Sequence, residues 1–276
     1  MRTTALLFHD IVSPKAYESS GFQGADADIY KLDPAEFRRH METIAISSGL
    51  QPEAVNRDTF YTPGRHLTLT FDDGGISAID QAAPILDEYG WPAHFFVTCS
   101  RIGTRGFLDP TQIRTLHRCG HVIGSHSMTH PPRMAALTSV QIEQEWSGSV
   151  KRLEDILGEA VTTASIPCGD YSRAVAVAAV ASGIQVLFTS EPVTRTATIE
   201  GCMIIGRFSV QQGVSEDWVG AVVADRPLPR LGRFLSWNGK KMLKTAGGSA
   251  WLEARKSILA WRGRSKSTHD GSRSPR

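Results

Sequence analysis

A chain of 276 residues, 41% of them apolar, is long enough to bury one large core. Its net charge of +2 hides a segregation. From Arg226 onward thirteen basic residues face only Glu253 and Asp270, a net +11, whereas the first 225 residues carry seventeen basic against twenty-six acidic, a net −9. No apolar run approaches the length of a membrane-spanning helix, and the basic residues are confined to the tail without a nucleic-acid-binding motif, so neither a spanning protein nor a nucleic-acid partner is expected.

In chain order, short apolar runs alternate with longer amphipathic segments. Residues 3–8, 66–71, 93–98, 121–125, 162–166, 185–189 and 202–205 read as buried parallel strands, which argues for an α/β domain of βα units. Asp33-Pro34 starts a helix with Phe37, Met41 and Ile44 as its buried stripe. Residues 76–89 place Ile79, Ala82, Ala83 and Leu86 on one helical face, and Gly90 stops them. Asp109 caps a helix that begins at Pro110 and closes at Gly120, and Thr138 with Gln141 forms a capping box for a helix to about Leu157. Ser172 caps an alanine- and valine-rich helix that ends before Gly183.

Two segments carry chemistry. Thr70-Phe71-Asp72-Asp73-Gly74-Gly75 follows the second strand, and Ser125-His126-Ser127-Met128-Thr129-His130 follows the fourth. Side chains beyond the carboxyl ends of parallel strands converge on one face of such a fold. Paired carboxylates repel unless a cation neutralises one of them, and the other is then left as a base. Two imidazoles at i, i+4 with one carboxylate make a three-ligand set with room for water. D-D-G-G is also ordinary turn chemistry, and the histidines are what lift it above that reading. His66, His94 and His121 sit at strand starts and read as packed structural residues.

These segments resemble the NodB-type polysaccharide deacetylases, whose first two motifs, T-F-D-D-G and H-[ST]-x-x-H, are matched residue for residue. The likeness covers roughly residues 65–207, with Leu7-Phe8-His9-Asp10 similar to the family's early strand. It implies a distorted (β/α) barrel of seven or eight strands, Asp72 as catalytic base, and Asp73, His126 and His130 on a divalent metal, by expectation Zn2+. The third motif, R-x-P-[YF]-G, is altered to Ser165-Ile166-Pro167-Cys168-Gly169. The resemblance makes that loop, with Pro167, Gly169 and Tyr171, a wall of the substrate groove, and Cys168 N–H a donor to the oxyanion. The family's arginine is missing there, and Arg207 after a later strand is the candidate replacement. The late histidine that serves the family as general acid has no match in residues 204–209, so His9 or Glu191 must be considered for that step.

The expected activity is therefore metal-dependent removal of N-linked acetyl groups from an N-acetylated sugar or polysaccharide. A hydrolase of a non-sugar amide or ester and a catalytically silent carbohydrate-binding protein are the alternatives. The N-terminus lacks a secretory pattern and the four cysteines form no C-x-x-C pair, which favours reduced thiols, a cytoplasmic location and a glycan or glycolipid intermediate as partner. The catalytic domain is assigned to residues 1–225 and a basic extension to 226–276. Within the extension, Trp251, Leu252, Ile258, Leu259 and Trp261 with interleaved basic residues suggest an amphipathic helix that docks on the barrel or on the membrane inner face, followed by a disordered tail.

Overall fold

Strands form where branched and aromatic residues run between turn residues, and the computed structural model, which describes residues 1–239, contains all seven expected ones. They are β1 (Arg2–Phe8), β2 (Arg65–Phe71), β3 (His94–Val97), β4 (Val122–Ser125), β5 (Thr163–Ser165), β6 (Val186–Phe188) and, after the short β7 (Ala197–Ile199), β8 (Cys202–Ile205). A two-residue strand, β9 (Phe208–Ser209), follows. Hydrogen bonds connect them in the order β7-β8-β6-β5-β4-β3-β2-β1-β9, parallel throughout except for the β7–β8 hairpin.

That order describes a closed object. β8 pairs with β6 and β9 pairs with β1, yet only Gly206 and Arg207 separate β8 from β9. One bent strand thus bridges the two ends of the sheet and completes a seven-stranded barrel. The bend needs a residue without a side chain, because a Cβ on Gly206 would fall 2.3 Å from the Glu191 carbonyl oxygen. A second tie comes from Thr3, whose N–H donates to the Thr194 carbonyl at 2.8 Å.

The period of two along each strand separates two apolar clusters. Leu6, Phe8, Phe95, Val97, Leu187 and Ile204 face the helical layer and join the main core. Their alternating neighbours Ala5, Phe96, Val186, Phe188, Met203 and Ile205 fill the barrel interior. His94 also lies inside, fully buried, with its ring 5.1 Å from that of Phe188.

The helical layer follows the expected caps. After a single turn, α1 (Ala25–Asp28), comes α2 (Pro34–Ser47), with Asp33 accepting from the Ala35 N–H and Phe37, Met41 and Ile44 completely buried. The segment expected as one helix over 76–89 is instead a π-helical turn (Ala78–Ala82) leading into α3 (Ala83–Asp87). Pro84 explains it: its ring excludes the carbonyl four residues back, and the ladder upstream shifts to an Ala83 N–H to Ala78 carbonyl bond. Capping boxes at Asp109/Gln112 and Thr138/Gln141 open α4 (Pro110–Arg118) and α5 (Ser139–Leu157). Ser172 caps α6 (Arg173–Ala181), and Ser215 caps α7 (Glu216–Val223).

Residues 227–239 are helical, and the start of the basic extension packs on the barrel. Arg230 is buried, donates to Thr4 Oγ1 at 2.9 Å and lies over Phe208, while Arg233 donates to the Ser209 carbonyl at 3.2 Å and covers Trp218. The amphipathic segment around Trp251–Trp261 and the terminal tail lie outside the described residues. Among the described residues no helix is long and apolar enough to cross a membrane.

Candidate metal and base site

The carboxyl ends of β2 and β4 place the acidic pair and the two imidazoles together. Asp73 Oδ1 lies 3.4 Å from His126 Nε2 and 3.4 Å from His130 Nε2. The three donor atoms all lie within 4.8 Å of one another. Positive φ values at Asp73 (77°), Ser127 (64°) and His130 (61°) turn the backbone so that these side chains meet. With Cys168 (55°), four of the six non-glycine residues in that region among those described lie at this one place, so backbone strain is concentrated where the side chains converge.

The donor set suits a cation. Asp73 Oδ1 is buried without a hydrogen bond of proper geometry. His126 Nδ1 donates to the Ser165 carbonyl at 3.0 Å, since a carbonyl can only accept, and this fixes the tautomer that turns a lone pair on Nε2 toward Asp73. His130 is positioned by its backbone N–H, which donates to Ser127 Oγ at 3.0 Å. A carboxylate and two imidazoles facing one another make a ligand set that a divalent ion would satisfy. Burial alone would raise the Asp73 carboxyl, but the two imidazoles hold it well below the usual range. Burial pulls His130 down, and the Asp73 carboxylate more than reverses that.

Asp72 lies beside this trio, its Oδ2 3.9 Å from His126 Nε2, and is paired with Arg207. The guanidinium, fully buried, donates to Asp72 Oδ1 at 2.7 Å and to Oδ2 at 2.8 Å. Its remaining donors reach Thr70 Oγ1 (3.1 Å), Ser165 Oγ (2.7 Å) and the Thr189 carbonyl (3.0 Å), and Phe96 and Phe188 lie beneath it. Ser165 Oγ passes the contact on, donating to Asp72 Oδ2 at 3.1 Å. Burial works against ionisation of Asp72, yet Arg207 outweighs it and the carboxyl stays below its ordinary value. The arginine that the third motif lacks at 165 thus arrives from the bend after β8, and the small Ser165 leaves room for it.

The other sequence candidates surround this centre. Pro167 is buried, Tyr171 is 37% exposed, and exposed Cys168 occupies the left-handed turn between them. Gly169, at φ 60°, commits its N–H to the Ile166 carbonyl. His9 ends the run from β1, its ring 4.4 Å from Tyr30 and its Nδ1 buried without a hydrogen bond. Burial lowers its pKa, and the charges it feels are those of Asp73, Asp72, His126 and Arg207. Glu191 lends its backbone carbonyl to the Arg207 N–H. His66 and His121 have local partners, Glu53 and the Ala93 N–H, while His94 accepts from the Val55 N–H. Sequence reasoning missed Phe22, which reaches in from the connection between β1 and α1 and lies tilted against His130, ring centroids 4.8 Å apart; nothing in its local sequence points there.

Comparison with known proteins agrees with this architecture. The family profile described as "Polysaccharide deacetylase" matches residues 61–187. The protein YxkH of Bacillus subtilis is 30% identical over 155 residues, 56% of this chain and 55% of its own length. Chitin deacetylase 1 of Cryptococcus neoformans is 31% identical over 123 residues, 44% of this chain and 25% of its own. The chain therefore spans about half the length, or less, of these two curated relatives. Among solved structures, a deacetylase of Streptococcus pyogenes in complex with acetate superposes with a TM-score of 0.66 at 17% identity, covering 82% of this chain and 99% of its own. A polysaccharide deacetylase of Bacillus cereus gives 0.66 at 17%, covering 81% of this chain and 69% of its own. At that identity the likeness establishes the barrel.

Proposed function

We propose that this chain, whose residues 61–187 match the polysaccharide deacetylase family profile, hydrolyses the acetamide of an N-acetylated sugar within a glycan or glycolipid. The observation that carries the reading is a single one: an ionised Asp72, clamped by Arg207, stands next to three ligand atoms of Asp73, His126 and His130. A pure binding protein has no chemical need for that combination.

Asp73, His126 and His130 would hold the ion, which when bound supplies Lewis-acid polarisation and activation of water. The chain's own residues do the rest. Asp72 accepts the proton of the attacking water as its oxygen adds to the acetyl carbon, and Arg207 keeps that carboxylate ionised and aimed. Cys168 N–H donates to the oxyanion that the carbonyl becomes. When the tetrahedral centre collapses, the C–N bond breaks and the amine leaves with a proton. His9, whose Nδ1 is buried without a hydrogen bond, and Glu191 are the two candidates for that transfer, and loss of turnover in His9→Ala or Glu191→Gln distinguishes them. Pro167, Gly169 and Tyr171 form the wall against which the sugar lies.

The test is acetate release from chitin oligomers by the zinc-loaded protein. Asp72→Asn is expected to keep its metal and lose most turnover, roughly a hundredfold or more for a positioned base. Full activity in that variant would remove Asp72 from the mechanism.

A further inference from the structure

Arg101 is a rim cation without an anion. It ends the short turn Cys99–Arg101 that follows β3, and its backbone is fixed: its N–H donates to the Thr98 carbonyl at 3.0 Å, and its own carbonyl accepts from the Thr104 N–H (2.9 Å) and hydroxyl (2.7 Å). The exposed guanidinium lies 5.2 Å from the centre of the Phe22 ring and 5.9 Å from that of Phe107. Among the described residues no hydrogen bond or ion pair engages it, in contrast to Arg207 and Arg230.

Its platform is rigid and belongs to the site. Phe22 and Phe107 meet edge to face at 5.2 Å, and the Phe22 ring lies tilted against that of His130, centroids 4.8 Å apart. Gly21 N–H donates to the Gly106 carbonyl at 2.9 Å, and Leu108 N–H donates to the Gly74 carbonyl at 3.0 Å, so both aromatic loops are tied to the turn that carries Asp73. Laid end to end, the contacts from His130 through Phe22 to Arg101 span no more than a disaccharide. Phe22 is half-buried and Phe107 buried, so the rings cover one side of an exposed residue, and contact with them leaves the N–H donors of its planar fork without an acceptor. A guanidinium confined on one side by two rings loses less freedom when it takes up an oxyanion than a free side chain would.

We propose that Arg101 is a specificity-determining residue that reads an oxyanion, a carboxylate or a phosphate, on the sugar beside the acetamido residue in the site. The substrate class is then an acidic N-acetylated glycan rather than a neutral one. The sugar half of this statement rests on the deacetylase reading; the anion half rests on Arg101 and its rings alone.

Binding separates the two. The Asp72→Asn protein, with and without Arg101→Gln, is titrated calorimetrically with chitohexaose, with a hexasaccharide of alternating N-acetylglucosamine and glucuronate, and with N-acetylglucosamine 1-phosphate. Expected is about tenfold tighter binding of the glucuronate hexasaccharide than of chitohexaose, weakened by salt and abolished by Arg101→Gln, with chitohexaose affinity unchanged. The phosphate probe shows whether the fork accepts both oxyanions. Equal affinity for charged and neutral hexasaccharides, or an Arg101→Gln protein weakened equally for all probes, overturns the proposal. Acetate release by the wild-type protein is measured in parallel. A retained charge preference with no acetate released would end the deacetylase reading and leave the oxyanion site standing.

Discussion

Removing Arg207 should expose how much the base depends on its clamp. In Arg207→Met the side-chain bulk over Phe96 and Phe188 survives, while Asp72 loses both short contacts and remains buried as an uncompensated charge. Breaking a buried pair from one side costs about 3–5 kcal/mol, and in a domain of this size that lowers Tm by about 10 °C. Burial of Asp72 is then opposed only by His126 and His9, so its carboxyl moves up. The sign follows. The base must be ionised to accept a proton, the wild-type carboxyl is held low, and the variant therefore loses kcat/KM progressively as pH falls through a raised value. The acid limb shifts to higher pH, by one unit for each ~1.4 kcal/mol of lost stabilisation. Acetate release across the pH range and a melting curve read both effects. Asp72→Asn/Arg207→Met should be more stable than Arg207→Met alone, because no buried charge is left behind. An acid limb that stays in place in Arg207→Met, with an unchanged Tm, refutes the coupling.

Other consequences follow from the same geometry. His126→Ala removes one of three ligands together with its Ser165 anchor, and metal content by mass spectrometry should fall with activity, in contrast to Asp72→Asn. His94, pushed down to about 3 by burial inside the barrel, refuses a proton that the unfolded chain accepts below about 6.5. Its stabilising contribution is thus present above that pH and lost as pH falls, by about 2 kcal/mol at pH 5. Denaturant unfolding of wild type and His94→Gln at pH 7 and 5 measures this difference, and identical pH slopes in the two proteins would sink it.

Much of the fold was legible because the features that build it are local. The seven strands announce themselves by apolar runs, and the helix starts at Asp33, Asp109, Thr138 and Ser172 by capping chemistry that needs no tertiary information. The π-helical turn was missed because a pattern of Ile79, Ala82, Ala83 and Leu86 does not report that Pro84 will displace the ladder. β9 was missed because two residues carry no period, and β7 because its Ala197–Ile199 stretch is largely exposed and pairs only through a hairpin. In the site, the ligand trio could be read from spacing, whereas the partnership of Ser165 with Arg207 joins residues 42 positions apart and depends on closure of the barrel. Phe22 and Arg101 belong to no motif. Their meeting is set by loop ties at Gly21 and Gly106 that the sequence marks only as turns.

The Gly206–Arg207 bend has a consequence for how the molecule fails. The two residues that let the last strand cross from one neighbour to the other also deliver the guanidinium to Asp72. Seam breathing and disarming of the proton acceptor are therefore one event. On heating, inactivation would set in when that joint first opens, while most of the hydrophobic interior is still intact.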